Sequence, residues 1–250
     1  MTVTPHQTIL LKLLDAHLQL PSTRSEQDGL VLLRFLAELH LQLAYTAKRA
    51  LHVFSVAVTE DENAPLDTRL PGIVEAIVLV TQALCALLLA GASKQGDETL
   101  IRTVKTVRLQ EDDGNGLSLS DLSVDLLKEL DLFLPRIILG QVAQDSSRPA
   151  SAPRHEAQSD PAGFAYIKRD LVRLLGILCH NDKDTQDSIR EREGIQVIMN
   201  LCVVDERNPY LREHALFTLQ NLLKNNPENQ AVVDEFKPMV EWDQEGNLIV

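Results

Sequence analysis

KRDLVRLLGILCHNDKDTQDSI (residues 168–189) slides forward by 44 positions onto REHALFTLQNLLKNNPENQAVV (residues 212–233). In this register Leu171 falls on Ala215, Val172 on Leu216, Leu175 on Leu219 and Leu178 on Leu222; Asn181 falls on Asn225, Gln186 on Gln230 and Ile189 on Val233. In the first copy Leu171, Leu174, Leu175 and Leu178 recur at the spacing of one helical stripe, and an Asn-bearing turn then ends the helix. A second helix comes at once after it. In the later copy Asn208 with Pro209, and Asn226 with Pro227, read as N-caps followed by first-turn prolines. Gly194 opens a short helix, IQVIMNLC, between the copies. A repeated helical unit of this size buries its apolar stripes by stacking on its neighbours, so this stretch predicts an all-α fold.

Outward from the repeat the same periodicity continues. Apolar residues recur at three- and four-residue spacing over 6–20, 27–58, 69–92, 97–110, 120–143, 162–180 and 208–225, and no segment alternates over a strand length. Turn signals divide these runs: Pro21 with Ser22, 63–65, 91–96 and the acidic stretch 111–116. The widest break, QDSSRPASAPRHEAQSDPAG (144–163), is rich in Ser, Pro and Ala and reads as a flexible linker. The expected organisation is a helical region over 1–143, a linker over 144–163 and repeats over 164–250. Either two bodies or one continuous stack fits that division. At the C-terminal end Val240, Trp242, Leu248 and Ile249 flank DQEGN, the pattern of a small hairpin that would cap the last unit.

Composition narrows the function. Aromatics make up 4% of the chain while the apolar share is 44%, as in interfaces between packed helices. A formal charge of −12 repels a phosphate backbone over most of the surface, which speaks against nucleic acid as a partner. Cys85, Cys179 and Cys202 are an odd number without CxxC spacing and read as buried thiols in a reducing compartment. The N-terminal run is interrupted by Lys12 and Asp15, unlike a signal peptide. Residues 76–92 carry no charge and approach the roughly 18 residues of a membrane span. They contain Thr81 and Gln82 and lack flanking basic clusters, so they read as a core helix.

No GxSxG, HExxH, GxxxxGK[ST] or GxGxxG motif occurs, so no catalytic residue and no cofactor is assigned. EDDGNG (111–116) has the look of a calcium loop, but its twelfth position is Leu122 where a bidentate Glu belongs. It reads as an acidic turn before a helix capped by Ser120 or Asp121. The candidate copper ligands are Cys179, His180, Cys202 and His214; adjacent helical residues diverge by roughly 100°, so Cys179 and His180 do not converge on one ion. No metal site is assigned.

GIQVIMNLCVVDERNPYLREHALFTLQNLLKNNPENQAVV resembles an armadillo repeat, with ALFTLQNLL as its long third helix. Together with DLVRLLGILCHNDKDTQDSIREREGI it closely resembles the C-terminal domain of the ataxin-10 family, over Phe164 to about Val240. That resemblance implies a right-handed armadillo-like α-solenoid. It also implies a cytoplasmic, non-enzymatic protein acting in cytokinesis and, in animals, in neuronal survival; a fungal branch carries a copper-transport name. Family members are usually longer than this chain, so it reads as a short member or a C-terminal portion.

Nuclear-import armadillo proteins hold basic peptides with a Trp and an Asn four residues apart on the third helix. Phe217 and Asn221 stand at those places here, and Arg173 and Ile177 one unit earlier, so the ladder is broken. Arg173, Phe217 and Asn221 are the candidate groove contacts for a protein partner. Interhelical packing for Phe217 and a hydrogen bond to neighbouring backbone for Asn221 are the competing roles. The leading reading is a scaffold for other proteins; the alternative is a membrane-associated or copper-handling factor using 76–92 or the C-terminal thiols.

Overall fold

The computed structural model describes residues 2–19, 26–61, 64–92, 98–110, 116–138, 141–142, 164, 166–236, 241–242 and 248–249. Among them are ten helices: α1 Pro5–Leu18, α2 Glu26–Glu60, α3 Leu70–Ala92, α4 Glu98–Thr106, α5 Leu119–Phe133, α6 Ile167–Leu178, α7 Lys183–Glu191, α8 Gly194–Leu201, α9 Leu211–Leu223 and α10 Pro227–Glu235. Three two-residue antiparallel pairs accompany them: β1 Leu109–Gln110 with β2 Gly116–Leu117, β3 Ile137–Ile138 with β4 Gln141–Val142, and β5 Glu241–Trp242 with β6 Leu248–Ile249. The fold is therefore mostly helical, as the periodicity predicts, and the terminal hairpin is present as β5–β6. The linker 144–163, the acidic stretch 111–115 and the DQEGN turn lie outside the described residues.

Local chemistry sets most helix ends. Thr4 caps α1 through a capping box with Gln7, with Pro5 in the first turn. The cap of α5 is Ser118, two residues ahead of the earliest expected: its hydroxyl accepts the Asp121 N–H at 3.1 Å, and Asp121 accepts the Ser118 N–H at 2.9 Å. The run expected to stay helical over 120–143 stops at Phe133, because Pro135 cannot continue a helix; the β3–β4 pair occupies part of the remainder.

The 44-residue register reappears in the backbone. α6 and α9 begin 44 residues apart, and so do α7 and α10. Tyr166 and Tyr210 hold φ of 71° and 65° ahead of α6 and α9; Asn181 and Asn225 hold 51° and 54° ahead of α7 and α10. Asn adopts this left-handed region readily, whereas a Tyr there costs about 1 kcal/mol and persists only where packing imposes it. Asp182 accepts from the Thr185 N–H and Asn226 from the Asn229 N–H, so the expected Asn226–Pro227 start is present. Gln186 and Gln230 each reach back seven residues, to the carbonyls of Cys179 and Leu223. Asn208 does not cap α9. Its side chain donates to Asp205 at 2.6 Å, and the helix begins after Tyr210.

Tertiary packing arranges the helices in rows. α3, α6 and α9 lie side by side in that order, and α2, α5 and α8 form a second row against them. One buried cluster runs from Leu33 on α2 to Leu222 on α9, so helices on both sides of 144–163 share it. α3 has the length and apolarity of a membrane-crossing helix, as have residues 27–59 of α2; in this fold Ile73, Ile77, Val80, Leu84 and Leu88 of α3 are buried against α1, α2 and α6. Lys168 is 1% exposed and ties α6 to α5: its ammonium donates to Asp131 at 2.9 Å and to the Leu134 carbonyl at 2.6 Å.

Candidate protein-binding surface

α6 leaves one stripe uncovered. Residues 169, 173 and 177, one turn apart, are half-exposed while their helical neighbours are buried, because α3, α5 and α9 occupy the other sides. Arg169 donates to Asp170 at 2.8 Å and lies over the Tyr166 ring at 4.4 Å. Asp170, 2% exposed, also accepts from Gln82 of α3 at 2.7 Å, so this buried carboxylate is satisfied from both sides. Arg173 differs. Among the described residues no carboxylate or carbonyl pairs with it, and its charge reaches both Cys85 on α3 and His214 on α9. Burial and the positive charges of Arg173 and Arg169 together hold the His214 imidazole below its usual range.

On α9 the 44-residue counterpart of Arg173 is Phe217, and it is 54% exposed. Arg173 and Phe217 therefore stand at equivalent positions on adjacent helices, a cation and an aromatic ring open to the same side of the row. Asn221 does not join them. It is 4% exposed, with its amide N–H donating to the Gly176 carbonyl at 2.9 Å and its oxygen 3.3 Å from the His180 ring. The hydrogen bond to neighbouring backbone is the role observed, and the Phe217/Asn221 pair presents no joint surface.

A polar seam that the pattern of charges did not single out surrounds Asn221. Gln186, buried between α6 and α10, donates to the carbonyls of Cys179 (3.3 Å) and Asn221 (2.9 Å) and accepts from Asn226 at 3.0 Å. Asn229 donates to the Leu222 carbonyl at 2.8 Å. The coincidence of Gln186 with Gln230 in the repeat register was the available signal, since a polar residue repeated at a helix-interior position has partners of its own. A second seam ties α7 to α5 and α5 to α2: Arg192 pairs with Asp121 (3.1 Å) and Asp125 (3.2 Å), and Lys48 of α2 pairs with Asp125 at 2.7 Å.

The thiols and imidazoles considered for copper point to separate partners. Cys179 is buried with its sulfur toward the Gly176 carbonyl, Cys202 toward the Ile198 carbonyl, and His180 meets Asn221 and Asn181. Burial pushes the Cys85 and Cys179 thiols up to about 12 and raises Cys202 as well. Among the described residues no group of three His, Cys, Asp or Glu is placed to hold a metal ion.

Residues 167–247, from the first residue of α6 onward, match the family described as the spinocerebellar ataxia type 10 protein domain. Among curated proteins the chain is similar to the ataxin-10 homolog of Dictyostelium discoideum, 40% identical over 80 residues, covering 32% of this chain and 13% of that protein. It is similar to the ataxin-10 homolog of Kluyveromyces lactis at 34% identity over 83 residues, 33% of this chain and 16% of the relative. Ataxin-10 of Bos taurus aligns over 168 residues at 29% identity, 63% of this chain and 34% of the relative, which carries the likeness beyond the C-terminal domain. The chain thus spans between 13% and 34% of the length of these relatives. No solved structure matches it. With its repeat unit at the start of the matched domain, the C-terminal part of the chain, residues 167–247, carries the domain that characterises the ataxin-10 family.

Proposed function

We propose that this chain is a non-enzymatic scaffold of the ataxin-10 type, an armadillo-like α-solenoid that binds other proteins in the cytoplasm, in the service of cytokinesis. The row α3–α6–α9 supplies the surface, since helices packed side by side form an extended face for a partner chain. The observation that carries the reading is Arg173, a half-exposed cation with no carboxylate or carbonyl partner among the described residues, at the position on α6 that the exposed Phe217 holds on α9. Arginine and aromatic side chains of this kind anchor protein interfaces. Asn221, held inside, supports the stack and not the partner.

The test is affinity capture from cytosolic extract with wild type and with an Arg173→Glu/Phe217→Ala variant, both checked by circular dichroism. Proteins lost from the variant alone would locate binding on this face. An unchanged set of captured proteins would refute it.

A further inference from the structure

In a chain of formal charge −12, many cations face carboxylates, as Lys48 faces Asp125, Lys128 faces Glu193 and Lys183 faces Glu228. On the open stripe of α6, Arg169 follows that pattern: its charge is met by Asp170, and the Tyr166 ring lies against it. Arg173, one turn on, does not follow it, and the sign of the local field reverses. Burial is the first cause of the lowered His214 imidazole, and among the charges Arg173 and Arg169 outweigh the opposing Asp170 and Glu213. At Cys85 on α3, Arg173 likewise outweighs Asp170. A positive strip therefore runs along α6 on an otherwise acidic protein.

The helix contact fixes what stands level with Arg173. The Thr218 hydroxyl donates to the Val172 carbonyl and the Asn221 amide to the Gly176 carbonyl, each at 2.9 Å, so α6 and α9 lie in one register and Phe217 comes level with Arg173. Packed helices lie about 8–10 Å apart, and a polyproline II chain brings every third side chain to the same side after about 9 Å. The flat fork of an arginine matches a carboxylate, and an exposed ring takes an apolar side chain.

Resting on the reading of this row as a protein-binding face, we propose that its ligand is an acidic extended peptide: a carboxylate of the partner docks on Arg173, and an apolar side chain three residues away docks on Phe217. A nucleic acid is disfavoured as the polyanion, because successive phosphates need successive cations and the α9 counterpart of Arg169 is Glu213, an exposed acid.

The test is fluorescence anisotropy at low ionic strength with three labelled probes, peptides of repeated Glu-Pro-Pro-Phe, Lys-Pro-Pro-Phe and Glu-Pro-Pro-Ala, on the full chain and on variants checked by circular dichroism. Wild type should bind the Glu-Pro-Pro-Phe peptide about tenfold more tightly than either of the others. Arg173→Glu should reverse the order of the glutamate and lysine peptides, and Phe217→Ala should level the phenylalanine and alanine peptides. Arg34→Glu, at an exposed position on α2, should change neither. Equal binding of the glutamate and lysine peptides by wild type, or a preference that a folded Arg173→Glu retains, overturns the acidic ligand even where the capture experiment upholds the face. A peptide preference that behaves as expected while capture loses no protein supports the ligand chemistry and counts against the scaffold reading alone. Single-stranded oligothymidylate that displaces the labelled probe more readily than unlabelled peptide does would assign the strip to nucleic acid and overturn the proposal.

Discussion

Gly176 on α6 and Thr218 on α9 are fitted to each other: a Cβ added at Gly176 would lie 2.6 Å from the Thr218 hydroxyl oxygen. That hydroxyl donates to the Val172 carbonyl at 2.9 Å, so it cannot turn aside without losing its bond. The close approach of the two helices rests on a missing methyl group.

Gly176→Ala should therefore destabilise the protein although it places a better helix former in a helix. The propensity gain is about 1 kcal/mol, the overpacking cost about 1–3 kcal/mol, and the displaced hydrogen bond about 1 kcal/mol more. The expected net loss is about 2 kcal/mol. In a Thr218→Ala background the clash is absent and the same substitution should be neutral or stabilising. Denaturant unfolding of the four proteins measures the coupling, and an equal effect of Gly176→Ala in both backgrounds would falsify the contact.

His40 makes stability depend on pH. It lies at 0% exposure between α2 and α3, and burial lowers its imidazole from 6.5 to about 4. The Thr81 hydroxyl donates to the Ile77 carbonyl at 2.7 Å, so it accepts from His40 Nδ1, at 3.2 Å, and Nε2 is left neutral with no partner among the described residues. Because the folded value lies below the unfolded one, the unfolded chain binds the proton first as pH falls. Stability from this group is complete above about pH 6.5 and declines toward pH 4, by about 2 kcal/mol at pH 5. Comparing wild type with His40→Leu at pH 7.5 and pH 5 isolates the effect from carboxylate titration. A loss of the same size in both proteins would sink the assignment.

The three cysteines should differ in reactivity. Cys85 and Cys179 are buried with thiols pushed up to about 12, so native protein at pH 8 should modify neither at an appreciable rate. Cys202 is half-buried and should react first with an aromatic disulfide reagent, with all three reacting once the protein is unfolded. Rapid native modification of Cys179 would contradict its burial at the end of α6.

Much of the architecture was legible because it is local. The 44-residue register predicted the starts of α7 and α10, since an Asn or Asp cap and the Asn before it act within three residues. Two readings failed for an equally local reason missed in the pattern. Pro135 ended α5 ten residues before its apolar periodicity did, and Asn208 turned its side chain to Asp205 and left the start of α9 to Tyr210. Periodicity counts apolar residues and is blind to a missing N–H or a competing acceptor.

The sequence by itself determined that the chain is helical, where α7 and α10 begin, and that the two C-terminal units are copies of one design. Only the tertiary structure decided which polar side chains are available. Phe217 and Asn221 are one helical turn apart and were read as one pair, yet one is open and the other is bound to the Gly176 carbonyl of α6. Lys168 is buried and paired while Arg173, five residues on, has no carboxylate or carbonyl partner among the described residues. Helix ends depend on neighbours along the chain, which a sequence displays. Burial depends on which helix lies across from a side chain, and that is set by packing between segments far apart in sequence.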